Sequence, residues 1–139
     1  MKGYSAYTDG ASSGNPGDSG IGIVLYKDGE SIYSESKYIG VTTNNVAEYT
    51  AVVTLLNTAV QNGIKELKIF TDSELLVKQM SGEYKIKNEK LKELIGQINS
   101  FKAKINFTLK HVLRDGNTEA DKLARQGSKR GAAAKKKME

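Results

Sequence analysis

Four carboxylates draw attention by their positions: Asp9, Glu48, Asp72 and Asp121. Asp9 ends the run YSAYTD and precedes a loop of small residues, GASSGNPG. Glu48 sits in the first turn of one helical pattern and Asp121 in that of another, while Asp72 follows the apolar run ELKIFT. In a sheet of parallel type, strand C-terminal ends and the helix N-termini after them share one edge, where ligands bind. The four side chains would converge there. Carboxylates so close cannot all stay ionised without a counter-charge. A divalent metal supplies one, and oxygen donors alone select a hard ion such as Mg2+ or Mn2+. Hard ions held by few carboxylates complete their shells with water and phosphate oxygens. That points to phosphoryl-transfer or phosphodiester chemistry.

Each carboxylate also has a purely structural reading. Asp9-Gly10 suits a turn, Asp72 suits a helix N-cap, and Asn45-x-x-Glu48 and Thr118-x-x-Asp121 resemble capping boxes. Two features weigh against all four being structural. They map to one edge, and the adjoining loops carry Gly10, Ala11, Ser12, Gly14, Asn15, Asn44 and Asn45. Small residues let a ligand backbone approach closely, and amides offer donors and acceptors to sugars and bases.

The elements that must place these residues follow from periodicity. Residues 4–9, 20–26 and 31–39 read as strands, the last two joined by the hairpin signal Asp28-Gly29. Val46, Tyr49, Val53, Leu56 and Val60 recur at helical spacing over 45–61, and Gly63 supplies a stop. Glu66 to Thr71 predicts a strand and Ser73 to Met80 a short helix. A further helix carries Leu91, Leu94, Ile95, Ile98 and Phe101 behind Asn88 as N-cap. Residues 105–113 predict a fifth strand, and 118–126 a last helix stopped by Gly127. The order β-β-β-α-β-α-α-β-α implies an α/β fold, a five-stranded mixed sheet with helices on both faces.

The totals narrow the class. The chain's 139 residues suit one domain able to bury a core without staples. It has no Cys, which excludes disulfides, thiol chemistry and zinc–thiolate sites. No apolar stretch suggests a signal peptide or membrane span, so a cytoplasmic protein is expected, and separately a monomer. Residues 129–139 hold five basic side chains and one acidic, +4 of the formal +5, so the body carries +1. We therefore expect a domain over 1–128 and a flexible basic tail over 129–139. The tail suits a polyanion, and equally a solubilising end.

Four motifs, in order and at the right element ends, resemble the ribonuclease H type 1 family over about residues 3–128. They are YTDGASSGNPG with GIG at 20–22, TTNNVAEY at 42–49, FTDSELLVKQM at 70–80 and NTEADKLA at 117–124. The resemblance implies the ribonuclease H-like fold and assigns Asp9, Glu48, Asp72 and Asp121 as catalytic metal ligands. It implies that Gly10, Ser12, Asn15, Asn44 and Asn45 touch sugars and base edges, Thr43 a DNA phosphate and Ser73 the RNA strand. The implied reaction is endonucleolytic cleavage of RNA in an RNA–DNA hybrid, leaving 5′-phosphate and 3′-hydroxyl ends. Two Mg2+ or Mn2+ ions, roughly 3.5–4 Å apart, serve such a displacement without a histidine base. The wide minor groove of A-form duplexes displays 2′-hydroxyls, so recognition by shape needs no base sequence. Double-stranded RNA remains open as a second substrate.

The chain departs from the better-known members in several places. Many carry a mobile His a few residues before the last Asp; here the single His, His111, lies ten residues before Asp121 in a strand pattern. A strand histidine with a structural partner is expected. The short segment that follows leaves Arg114 and Asn117 near the site in supporting roles, as in archaeal and some bacterial members. Glu74 stands where Gln is usual and either burdens the site or points to solvent. Residues 81–90 leave room only for a loop in place of a basic protrusion, although Lys78, Lys85, Lys87, Lys90 and Lys92 could form a phosphate track. A binding-only descendant would not need four intact carboxylates, and an integrase-like nuclease would usually need further domains.

Overall fold

The computed structural model describes residues 3–138; residues 1, 2 and 139, at the outer ends of the two expected segments, lie outside the described range. Strands β1 (Tyr4–Ser12), β2 (Gly17–Lys27) and β3 (Glu30–Thr42) form an antiparallel meander. Asp28 and Gly29 close the β2–β3 hairpin at φ 52° and 85°, the positive values a two-residue turn demands. Then come α1 (Asn44–Gln61), β4 (Glu66–Thr71), α2 (Glu74–Met80), α3 (Glu89–Phe101), β5 (Asn106–His111), a 3-10 turn (Arg114–Gly116) and α4 (Thr118–Met138). The sheet runs β3-β2-β1-β4-β5, with β1–β4 and β4–β5 parallel. This is the element order and mixed sheet expected from the sequence. Asn88 caps α3 as expected, its Oδ1 accepting from Leu91 N at 3.0 Å.

The two sheet faces are covered differently. On one, Ile21, Ile23 and Leu25 of β2 meet Val52, Leu55 and Leu56 of α1, with Ile98 of α3 behind them. Burying each such side chain contributes about 1.5–3 kcal/mol. The buried stripe of α1 is rotated from the expected one: Val53 and Val60 are only partly buried, while Ala51, Val52, Leu55 and Ala59 face inward. Close approach explains the rotation. A side chain on Gly10 would overlap the backbone at Ala47–Glu48, so the helix presents small residues at its nearest point to the sheet.

On the other face α4 lies directly on β2 and β3. A side chain at Gly20 or Gly22 would overlap the α4 backbone between Ala120 and Ser128. A Cβ on Gly127 would lie 2.6 Å from the carbonyl oxygen of Lys37, and Gly131 sits against the ring of Tyr38. Gly127 therefore does not stop the helix, contrary to expectation. It is a contact point, and α4 continues through the segment expected to be a flexible tail. Three alanines at 132–134 favour helix, and Lys135, Lys136 and Lys137 suit the negative end of its dipole. Side chains fasten the extension: Lys135 pairs with Asp18 at 2.9 Å, and Arg130 donates to the Ser36 carbonyl at 2.6 Å. Among the described residues no helix is long and apolar enough to cross a membrane.

Candidate active site

The parallel ladder between β1 and β4 ends at the pair Thr8–Thr71. The next residues on the two strands are Asp9 and Asp72. Contrary to expectation Asp9 does not end its strand, because β1 pairs with β2 as far as Ser12. It stands where β1 parts from β4. Asp72 is free of capping duty because Ser73 caps α2, its Oγ accepting from Leu76 N at 3.1 Å. Thr43, rather than Asn45, caps α1, accepting from Val46 N at 3.2 Å. Glu48 consequently lies just beyond the first turn of α1, on the side facing Asp9 and Asp72.

Carboxylate oxygens of Asp9, Glu48 and Asp72 lie within 4.8 Å of one another. Asp121, in the first turn of α4, lines the same cleft of about 310 Å³ but stands outside that triad. Its carboxylate is paired with Arg125 Nε at 3.2 Å. Asp9 is 5% exposed. Burial, then the charge of Asp72 and contacts with Asp121, push its pKa up to about 8, against a bond from Gly10 N that favours ionisation. Burial also raises Glu48 to about 7, opposed by a hydrogen bond from Ser73 and aided by the charge of Asp72. Arg114, in the cleft wall, and Asn44, donating to Glu48 Oε1 at 3.3 Å, pull it the other way. The triad fits a hard divalent cation. Its donors are all oxygens, and in Asp9 and Glu48 burial first, and the charge of Asp72 after it, disfavour the ionised form that a bound cation would stabilise.

The residues expected to touch substrate divide into two groups. Gly10, Ser12 and Asn44 line the cleft, as do Arg114, Arg125 and Lys129. Asn15, Thr43, Asn45 and Ser73 do not line it. Asn15 Oδ1 accepts from Asn44 N at 3.1 Å, Asn45 is half-buried with its Oδ1 unpartnered, and Ser73 is buried. Asn117 is also buried, and its Nδ2 donates to Thr8 O at 2.9 Å, tying the start of α4 to the strand beside Asp9. His111 is exposed at the end of β5 opposite Thr71 and is not in the cleft wall. Among the described residues its ring has no hydrogen-bond partner, so the structural partner expected for it is missing. Glu74 points to solvent and pairs with Lys78 at 2.8 Å. Residues 81–88 form a loop, and Lys90 and Lys92 each pair with a nearby glutamate, which weakens that track. Arg125 lies within the expected last helix, and its signal is the i, i+4 spacing from Asp121; Lys129, expected in a flexible tail, reaches the cleft wall because α4 continues past Gly127.

A family profile described as reverse transcriptase-like matches residues 7–127. The bifunctional protein Rv2228c of Mycobacterium tuberculosis is 42% identical over 121 residues, 84% of this chain. The chain spans only 33% of that relative's length. Ribonuclease HI of Rickettsia prowazekii is 33% identical over 139 aligned positions, covering 87% of this chain and 88% of the relative. Among solved structures, LC11-RNase H1 in complex with an RNA/DNA hybrid superposes with a TM-score of 0.87 at 38% identity, covering 93% of this chain and 99% of that one.

Proposed function

The chain belongs to the ribonuclease H type 1 family, and from that premise we propose that it is an endonuclease hydrolysing the RNA strand of RNA–DNA hybrids without reading base sequence. The observation that carries this reading is the convergence of Asp9, Glu48 and Asp72 within 4.8 Å beside a wall of small residues. The hybrid bound to a relative of the same fold supports it. We read the protein as a cytoplasmic monomer.

Asp9, Glu48 and Asp72 would hold the metal, and Asp121, in contact with Asp9, completes the set. Two bound Mg2+ or Mn2+ ions would activate water and stabilise the leaving oxygen. The water oxygen bonds to phosphorus as the P–O3′ bond breaks; water loses a proton and O3′ gains one. The fragments then end in 5′-phosphate and 3′-hydroxyl. Gly10 keeps β1 tight on α1, so Glu48 is set against Asp9. Ser12 and Asn44 offer polar groups to the minor groove, and Asn15 fixes Asn44 from behind. Thr43 accepts from Val46 N, which leaves its hydroxyl hydrogen free for a phosphate. Ser73 donates to Glu48 and accepts from Leu76, so it acts as a positioning residue rather than an RNA contact. Arg114 offsets the negative field, and Asn117 positions Asp9 through Thr8.

The test is a comparison of labelled RNA–DNA, RNA–RNA and DNA–DNA duplexes incubated with Mg2+ or Mn2+. Cleavage confined to RNA, with 5′-phosphate products from the hybrid, is the expected result. Cutting of DNA strands, or no metal-dependent cutting of the hybrid, overturns the reading. Cutting of the RNA–RNA duplex as well would extend the substrate range.

A further inference from the structure

The basic side chains at the end of the chain are not equivalent once α4 is seen to be continuous. Arg130 is bound to Ser36 and Lys135 to Asp18, which is itself held by Tyr38 Oη at 2.7 Å. Those two cations hold the helix on the sheet. Lys129, Lys136 and Lys137 are exposed, and among the described residues none of them is in an ion pair. Lys129 lines the carboxylate cleft. Lys136 lies seven residues on, about 20° round the helix from Lys129 and about 10 Å further along its axis. Lys137 is turned about 100° from Lys136 and about 80° from Lys129, to the other side of that row.

The helix is fixed in this direction. Gly20 and Gly22 admit it against β2, Gly127 and Gly131 against β3, and Ser128 Oγ donates to the Asp18 carbonyl at 2.7 Å. A docked helix thus carries two unpaired cations outward from the cleft that holds the four carboxylates. The rest of the chain needs them. Outside 129–139 the formal charge is only +1, while the proposed substrate is a polyanion lying over carboxylates. The row also lies beyond the family profile, which ends at 127.

Resting on the ribonuclease reading, we propose that Lys129 and Lys136 form a phosphate-binding spine that extends the duplex site along α4, and that Lys137 takes no part. The spine grips the sugar–phosphate backbone without reading bases, so its contribution is affinity and salt dependence. Because α4 is docked before substrate arrives, the two ammonium groups are presented without first ordering a tail.

The test measures binding of a labelled RNA–DNA hybrid to the full chain carrying Asp72→Asn, with Mg2+ present, across a salt series. Each phosphate contact contributes roughly 0.9 to the slope of log affinity against log salt. Adding Lys129→Ala and Lys136→Ala should flatten the slope by about two units, so that affinity falls about tenfold less between about 50 and 200 mM salt. Adding Lys137→Ala instead should leave the slope unchanged. Circular dichroism should show all variants equally helical. An unchanged slope in the double variant, or equal flattening by Lys137→Ala, overturns the spine while hybrid cleavage by the parent chain keeps the ribonuclease reading. No hybrid binding together with no cleavage by the parent chain overturns both.

Discussion

The cleft around Asp9 and the seam beneath α4 adjoin and share that helix, yet their chemistry is opposite. In the seam, groups that could cost stability are matched. Glycines stand where backbones touch, Ser128 and Ser36 donate to carbonyls, and Asp18 is held low in pKa by Tyr38 and Lys135. In the cleft, three carboxylates oppose one another and two have pKa values pushed up to about 8 and 7. Nothing in folding requires Asp9 to be an acid. The contrast separates residues kept for the fold from residues kept in spite of it.

That separation predicts which property each substitution removes. Asp72→Asn should reduce metal-dependent cleavage by about a thousandfold or more, roughly 4 kcal/mol in the barrier, with the unfolding midpoint kept or raised. Near-normal turnover by the folded variant would dissolve the contrast. Gly22→Val should act the other way. Its side chain would meet the backbone of Ala120 and Ala124, which cannot retreat as a flexible side chain can, so we expect a loss of about 3 kcal/mol or more in denaturant unfolding. Activity should fall only as the folded fraction falls. Wild-type stability in that variant would show that α4 does not lie as close as described.

Acidity sharpens the comparison further. Asp9 and Glu48 have folded pKa values above the ordinary 3.8 and 4.5. The native state therefore binds more protons than the unfolded one between about pH 4 and pH 8, and its stability falls as pH rises through that window. Each group contributes at most about 1.4 kcal/mol per pH unit. Asp18 is shifted down, so its contribution is present above about pH 4 and lost on further acidification. Metal-free denaturation at pH 5 and pH 8 should show the loss, and Asp9→Asn should shrink it. The smallest effect belongs to His111, exposed and outside both regions. His111→Ala should keep cleavage within about tenfold; a loss of several orders of magnitude in a folded variant would place its ring at the reaction.

The element order, the hairpin at Asp28-Gly29 and the convergence of Asp9, Glu48 and Asp72 were legible because each depends on local pattern plus the rule that parallel strands present their ends on one edge. The continuation of α4 was not. Gly127 and Gly131 have the local signature of helix stops, and only the proximity of Lys37 and Tyr38, ninety residues or more earlier, explains them. Thr43 and Ser73 show the same limit. Their hydroxyls read equally well as caps or as ligand contacts until the backbone bonds to Val46 and Leu76 are seen. The buried face of α1 was misplaced for a related reason, since valines attract notice in a pattern while the alanines that allow close packing do not.

The claim that the cleft carboxylates are held against their own repulsion for a divalent cation is tested most directly by metal-induced stabilisation. Unfolding of the wild-type chain and of Asp9→Asn would be followed at pH 8 with and without saturating Mn2+. The wild type should gain about 2.7 kcal/mol at a metal concentration about one hundred times its dissociation constant, while Asp9→Asn should start more stable and gain far less. Equal gains in both chains, or no gain in the wild type, would contradict the account.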